Sequence, residues 1–276
     1  MPLQARLDAV LPHPDPKYRY DLREVRKGAL MAAKRFMAAL ILVLMGTGLL
    51  HAADPESPFL RNNALALKLG YHFYPNSSFT DYWKVSKEDF DGFVGEISYE
   101  RELVKYLGLE VALGYYGSSK QFSYNNLVNS GDRASLDATI SNTYLSLTLK
   151  PHFPLSRWFQ VYFGAGGDVY YTYTDFKGRY TRGGSSTSLD NNDNKLAVGF
   201  HGLAGAEVLL FEGPWEKGVY DMPMSLFLEY KYAYVPINDF DENMINRINS
   251  FAGSSVGSHD FNAGGQSIFL GLRWKF

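Results

Sequence analysis

The stretch IFLGLRWKF, Ile268 to Phe276, decides how the rest of the chain is read. Ile268, Leu270, Leu272, Trp274 and Phe276 fall on one side of a period of two, with Ser267, Phe269, Gly271, Arg273 and Lys275 on the other. That is the side-chain period of a β-strand with one apolar and one largely polar face. Terminal residues usually fray into water unless something ties them down. Here the final residue continues the apolar face, so the pattern predicts a strand that runs to the end of the sequence.

Working outward, the same alternation returns at 64–74 (ALALKLGYHFY), 93–100 (FVGEISYE), 106–116 (YLGLEVALGYY), 142–150 (NTYLSLTLK), 160–174 (QVYFGAGGDVYYTYT) and 224–235 (MSLFLEYKYAYV). It returns less cleanly at 195–210 (KLAVGFHGLAGAEVLL), and no stretch after Ala53 shows a convincing helical period. With the last strand this makes eight segments of roughly ten residues. At ~3.3 Å per residue and a tilt of about 40°, each covers ~25 Å, the height of the apolar band of a transmembrane barrel.

A soluble sandwich would also alternate, but three features weigh against it. The polar faces hold glycine and charges of both signs, as a narrow lumen requires. Aromatics gather at segment ends (Tyr71, Phe73, Tyr99, Tyr115, Tyr171, Tyr173, Tyr232, Tyr234), where interfacial girdles belong. The connections alternate long and short: a long link after strand one, then RELVK, then 117–141, then PHFPLSRW, then 175–194, 211–223 and 236–263. Long loops outside and short turns in the periplasm give that rhythm when both termini are periplasmic. The expected fold is all-β: a closed antiparallel transmembrane barrel of eight strands, which leaves no backbone group unsatisfied in lipid.

The N-terminus explains how such a chain reaches its membrane. Lys34 and Arg35 precede an apolar run from Phe36 to Leu50, followed by HAA, the layout of a Sec signal peptide cleaved near Ala52 or Ala53. The run falls short of the ~20 apolar residues of a spanning helix. Residues 1–30 are charged and interrupted by proline, and Met31 begins an ordinary signal sequence, so the upstream segment is read as a mis-assigned start. The expected organisation is 1–30 extension, 31–53 signal peptide and 54–276 barrel, with no second domain. The absence of cysteine removes disulfides, thiolate chemistry and a lipoprotein anchor, and a formal charge of −2 carries no nucleic-acid signature.

The sequence resembles the small eight-stranded outer-membrane barrels of Gram-negative bacteria, the OmpA/OmpX/OmpW-like group without a periplasmic domain. In those families the last strand ends in an aromatic residue read by the barrel-assembly machinery. Phe276, with Trp274, Leu272, Leu270 and Ile268, matches that pattern. The resemblance implies an outer-membrane monomer in contact with lipids and lipopolysaccharide, and no cofactor. It leaves three roles open: a structural or surface-interaction protein, a conduit for a small hydrophobic ligand, or a lipid A-modifying enzyme.

By parity the inward residues include Lys68, Glu96, Glu110, Lys150, Asp168, Glu207, Glu229, Lys231, Arg273 and Lys275, a set balanced between acids and bases. A barrel of eight strands is just wide enough for its side chains to fill it, so these charges should pair. Gly114, Tyr116 and Tyr170 suggest a shallow apolar pocket toward the loops. None of His72, His152, His201 and His259 sits in the His-x-Ser arrangement of the barrel deacylases. His201 is expected near Glu207. SHDF, with Ser258, His259 and Asp260 adjacent, does not make a relay, and DNNDN (190–194) lacks the spacing of a calcium loop. No catalytic, cofactor or metal residue is assigned.

Overall fold

The computed structural model describes residues 62–83, 86, 89–125, 131–211, 222–253 and 255–276. The signal-peptide and upstream segments lie outside these residues. The strands are β1 (Asn63–Phe73), β2 (Gly92–Val104), β3 (Leu107–Asn125), β4 (Arg133–Pro154), β5 (Phe159–Arg182), β6 (Ser185–Ser188), β7 (Asn191–Phe211), β8 (Met224–Tyr234), β9 (Pro236–Ile237), β10 (Phe261–Asn262) and β11 (Gly265–Lys275). Among the described residues, two helices, α1 (Ser78–Tyr82) and α2 (Glu242–Ala252), lie in the first and last long loops.

β1, β2, β3, β4, β5, β7, β8 and β11 pair antiparallel in that cyclic order, a closed barrel of eight strands. The seam joins the first strand to the last, from Ala64↔Lys275 to Phe73↔Gln266. Phe276 is tied at this seam: its N–H donates to the Asn63 carbonyl at 2.9 Å, and the Asn63 N–H donates back at 3.1 Å. All eight alternating segments are strands, and the girdle tyrosines and phenylalanines face outward.

Where long loops were expected at 117–141 and 175–194, the described residues largely extend the strands. β3, β4, β5 and β7 run for 19, 22, 24 and 21 residues against 11 for β1, β8 and β11. The reason is visible in β4. Near the turns its outward residues are Leu145, Leu147 and Leu149, and its inward residues are Ser146, Thr148 and Lys150. Beyond Asn142 the polarity inverts: Ala134, Leu136, Ala138 and Ile140 are buried inside, while Arg133, Ser135 and Asp137 are exposed outside. A period of two persists through both zones, with lipid outside one and water outside the other.

The helices fill the interior of this tall wall. α2 was not expected, because ENMINRINS holds residues that compete with helix formation. Yet Met244, Ile245, Ile248 and Ala252 lie on one helical face and are buried, and Gly253 (φ 65°) ends the helix in the left-handed conformation. α1 begins with a capping box between Ser77 and Thr80.

Candidate functional site

The site is the lumen. All ten inward charges are buried. Strand pairing sets Lys68 of β1 directly opposite Glu96 of β2, and the Lys68 ammonium sits among three carboxylates: Glu96 Oε1 at 2.6 Å, Glu229 Oε1 at 2.8 Å and Glu110 Oε1 at 3.0 Å. Lys150 Nζ continues the ladder to Glu110 Oε2 at 2.6 Å and Glu229 Oε2 at 3.4 Å. Toward the turns, Glu207 gathers Arg273, Lys275 Nζ at 2.9 Å, Gln160 Nε2 at 2.7 Å and Ser225 Oγ at 2.5 Å. Toward the loops, Lys231 Nζ bridges Asp168 Oδ1 at 3.4 Å, Glu96 Oε2 at 3.6 Å and Ser146 Oγ at 2.7 Å.

Glu96, Glu110 and Glu229 are the one group of carboxylates among the described residues close enough together to hold a metal ion. A built-in cation, the Lys68 ammonium, occupies their centre. Such a pairing offsets the desolvation cost that isolated buried carboxylates would carry.

Parity reasoning missed Glu100, although it shares a face with Glu96. Its Oε1 lies 2.5 Å from His152 Nε2, and its Oε2 lies 3.6 Å from Arg273 Nη2. His201 does face the lumen, but its partner is not Glu207. Nδ1 lies 2.8 Å from Asp168 Oδ2, and Nε2 lies 2.9 Å from Thr148 Oγ1. This is the geometry of a hydroxyl, a base and an orienting carboxylate. It is also sealed: all three residues are buried, and a Cβ on Gly164 would stand 2.8 Å from both Thr148 Cγ2 and Leu203 Cδ1.

The shallow pocket expected toward the loops is filled. Tyr144 packs over Gly114, where a Cβ would lie 2.1 Å from its ring, and stacks on Tyr170 with centroids 5.0 Å apart. Its hydroxyl donates to Glu96 Oε2 at 2.8 Å. Tyr116 stacks on His72 at 4.0 Å and donates to the Ala263 carbonyl. Above them Phe79 of α1 contacts the rings of Trp83, Phe90, Phe176, Phe240 and Phe261.

Asp241 locks this cap. Its buried carboxylate accepts Trp83 Nε1 at 2.8 Å and the His259 N–H at 2.7 Å, with His259 Nδ1 at 2.9 Å. SHDF therefore pairs His259 with Asp241 rather than with its neighbour Asp260, whose carboxylate accepts the Asp239 N–H and whose backbone N–H donates to Ser78 Oγ of α1. Burial and the nearby Asp241 raise the Tyr82 phenol above its ordinary value. In DNNDN, hydrogen bonds from Ser188 and the Gly178 amide hold Asp190 below the usual aspartate value.

The apolar residues that signal the last strand, Ile268, Leu270, Leu272, Trp274 and Phe276, form its outward face, with Leu272 and Trp274 less exposed than the others.

A closed antiparallel barrel with lipid-facing leucines and a charged interior defines a transmembrane β-barrel. The chain belongs to the outer membrane protein beta-barrel domain family, whose profile matches residues 39–269, and the protein resides in the outer membrane. Comparison with curated protein sequences returns no match. Solved structures similar to it include Neisserial surface protein A, at 15% identity over 82% of this chain and 100% of that one, TM-score 0.45. Outer membrane protein OprG from Pseudomonas aeruginosa is similar at 12% identity, 78% and 97% coverage and TM-score 0.40. The outer membrane protease OmpT from Escherichia coli is similar at 13% identity, 83% and 99% coverage and TM-score 0.37.

Proposed function

We propose that this protein is a sealed outer-membrane barrel with a structural and surface-interaction role, and that it is neither an open channel nor an enzyme. The carrying observation is the ion-paired ladder from Lys275 to Asp168, closed toward the loops by the aromatic cap. The tall wall of β3, β4, β5 and β7 then stands outside the cell, presenting polar residues to lipopolysaccharide and the environment. The short turns lie in the periplasm. Residues 31–53 act as the Sec signal peptide, 54–276 form the mature barrel, and the outward face ending at Phe276 serves as the assembly signal.

A conduit for a small hydrophobic molecule would need the cap to leave the Tyr116 and Tyr144 layer. Planar bilayer recording separates the readings. The sealed barrel shows no steady conductance, and Glu110→Gln or Arg273→Met lowers stability without opening a current. Stable open-channel currents that change with Glu110→Gln while melting stays constant would overturn it.

A further inference from the structure

Two of the short turns share a pattern that barrel closure does not require. The end of β2 and the β2–β3 turn read Leu103, Val104, Lys105, Tyr106, and the β4–β5 turn reads Leu155, Ser156, Arg157, Trp158. In each, a leucine is followed after one residue by a cation and then an aromatic ring. The likeness extends to three dimensions. The Tyr106 carbonyl accepts the His152 N–H at 2.8 Å, and the Trp158 carbonyl accepts the Leu209 N–H at 2.9 Å. Each aromatic residue is thus pinned to the strand beyond its own hairpin. Each cation lies by its neighbouring ring, Lys105 Nζ 5.3 Å from the Tyr106 centroid and Arg157 Cζ 5.8 Å from that of Trp158.

Tyr106 adopts φ 67°, a left-handed conformation where glycine is the default and a bulky side chain is strained. Its amide donates to Glu102 Oε1 at 2.8 Å, which helps hold it there. A residue kept against local strain points to a use for its side chain. Leu103, at the end of β2, and Leu155, in the β4–β5 turn, are equally out of place beside water, being 50% and 65% exposed. They extend the lipid-facing wall that ends at Phe153 on β4. Apolar tip, cation and aromatic ring together match the acyl, phosphate and interfacial layers of a leaflet.

We propose that these two turns form a two-point clamp for the phosphates of anionic phospholipid in the turn-side leaflet. This rests on the orientation given above, with the turns in the periplasm. The test is native mass spectrometry of the full barrel, delipidated in a neutral detergent and titrated with phosphatidylglycerol. Lys105→Gln and Arg157→Gln should each lower lipid retention roughly fivefold, with melting in lipid-free detergent unchanged. Tyr106→Gly relieves the strain, so it should melt at or above the wild type in that detergent and still lose lipid. Equal retention by the wild type and the double glutamine variant would overturn the clamp, as would full retention by Tyr106→Gly. Displacement by millimolar inorganic phosphate would name free phosphate as the ligand and overturn a lipid site. Preferential retention of lipopolysaccharide through the same residues would overturn the orientation while leaving the clamp geometry standing.

Discussion

Lys68 and Glu96 are register partners on adjacent strands and also an ion pair of 2.6 Å, so sheet pairing and lumen electrostatics specify the same contact. A one-residue slip between β1 and β2 would turn one of the two side chains toward lipid. The pair therefore helps set the register at the seam side of the barrel as well as neutralising the interior.

Replacing that ammonium should show how the core is balanced. Lys68→Met leaves three carboxylates enclosed together, and removing one partner of a buried ionic group typically costs about 3–5 kcal/mol. Urea unfolding in lipid vesicles should report a loss of that size. Calcium should restore part of the stability of Lys68→Ala, where space and ligands coincide, and leave the wild type unmoved.

The lipid face makes a separate prediction. Leu147→Arg places a charge on the outward face of β4 among Leu145 and Leu149, and should cost about 2–4 kcal/mol. Ser123→Arg, on the exposed polar stretch of β3, should be nearly silent. Equal effects at the two sites in vesicle unfolding would contradict the faces.

The cap can be loosened without touching the barrel wall. Trp83→Phe keeps the aromatic packing but leaves Asp241 Oδ2 with His259 alone, at a cost of about 1–3 kcal/mol. Proteolysis of the segment carrying α2 should quicken in this variant, while the melting of the strands changes little.

Intact-mass measurement on protein purified from outer membrane should give a mature chain that begins near Ala53 or Asp54. Retention of residues 1–30 would contradict the proposed start and the export route together.

The membrane-spanning part of the fold was legible because every strand there sets large apolar side chains outside against charge or glycine inside. The Leu145, Leu147, Leu149 run against Ser146, Thr148, Lys150 is such a case. The wall above it was harder to read. In ASLDATI the alternation is present but inverted, with Ala134, Leu136, Ala138 and Ile140 inward and Ser135, Asp137 and Thr139 outward, so it does not read as a membrane-spanning strand. α2 was hidden by its asparagines, its amphipathic face becoming plain only once Met244, Ile245 and Ile248 met the cap. Single charges were placed by parity alone, which is why Glu100 could have been found and was not. The partner of His201 could not, because Asp168 meets it through β5–β7 register rather than through sequence spacing.

The inversion of polarity along β4 gives this strand its own depth gauge. Sliding it toward the outside by one pair of residues would move the leucine run toward water, and sliding it inward would drag Ser141 toward the acyl chains. Both errors act on the same rigid segment, so depth in the bilayer is set by the strand itself and does not depend on a separate anchor. A membrane a few ångströms thicker or thinner would then have to deform to meet the barrel at the level of Asn142, and the lipid around the tall wall would carry that mismatch.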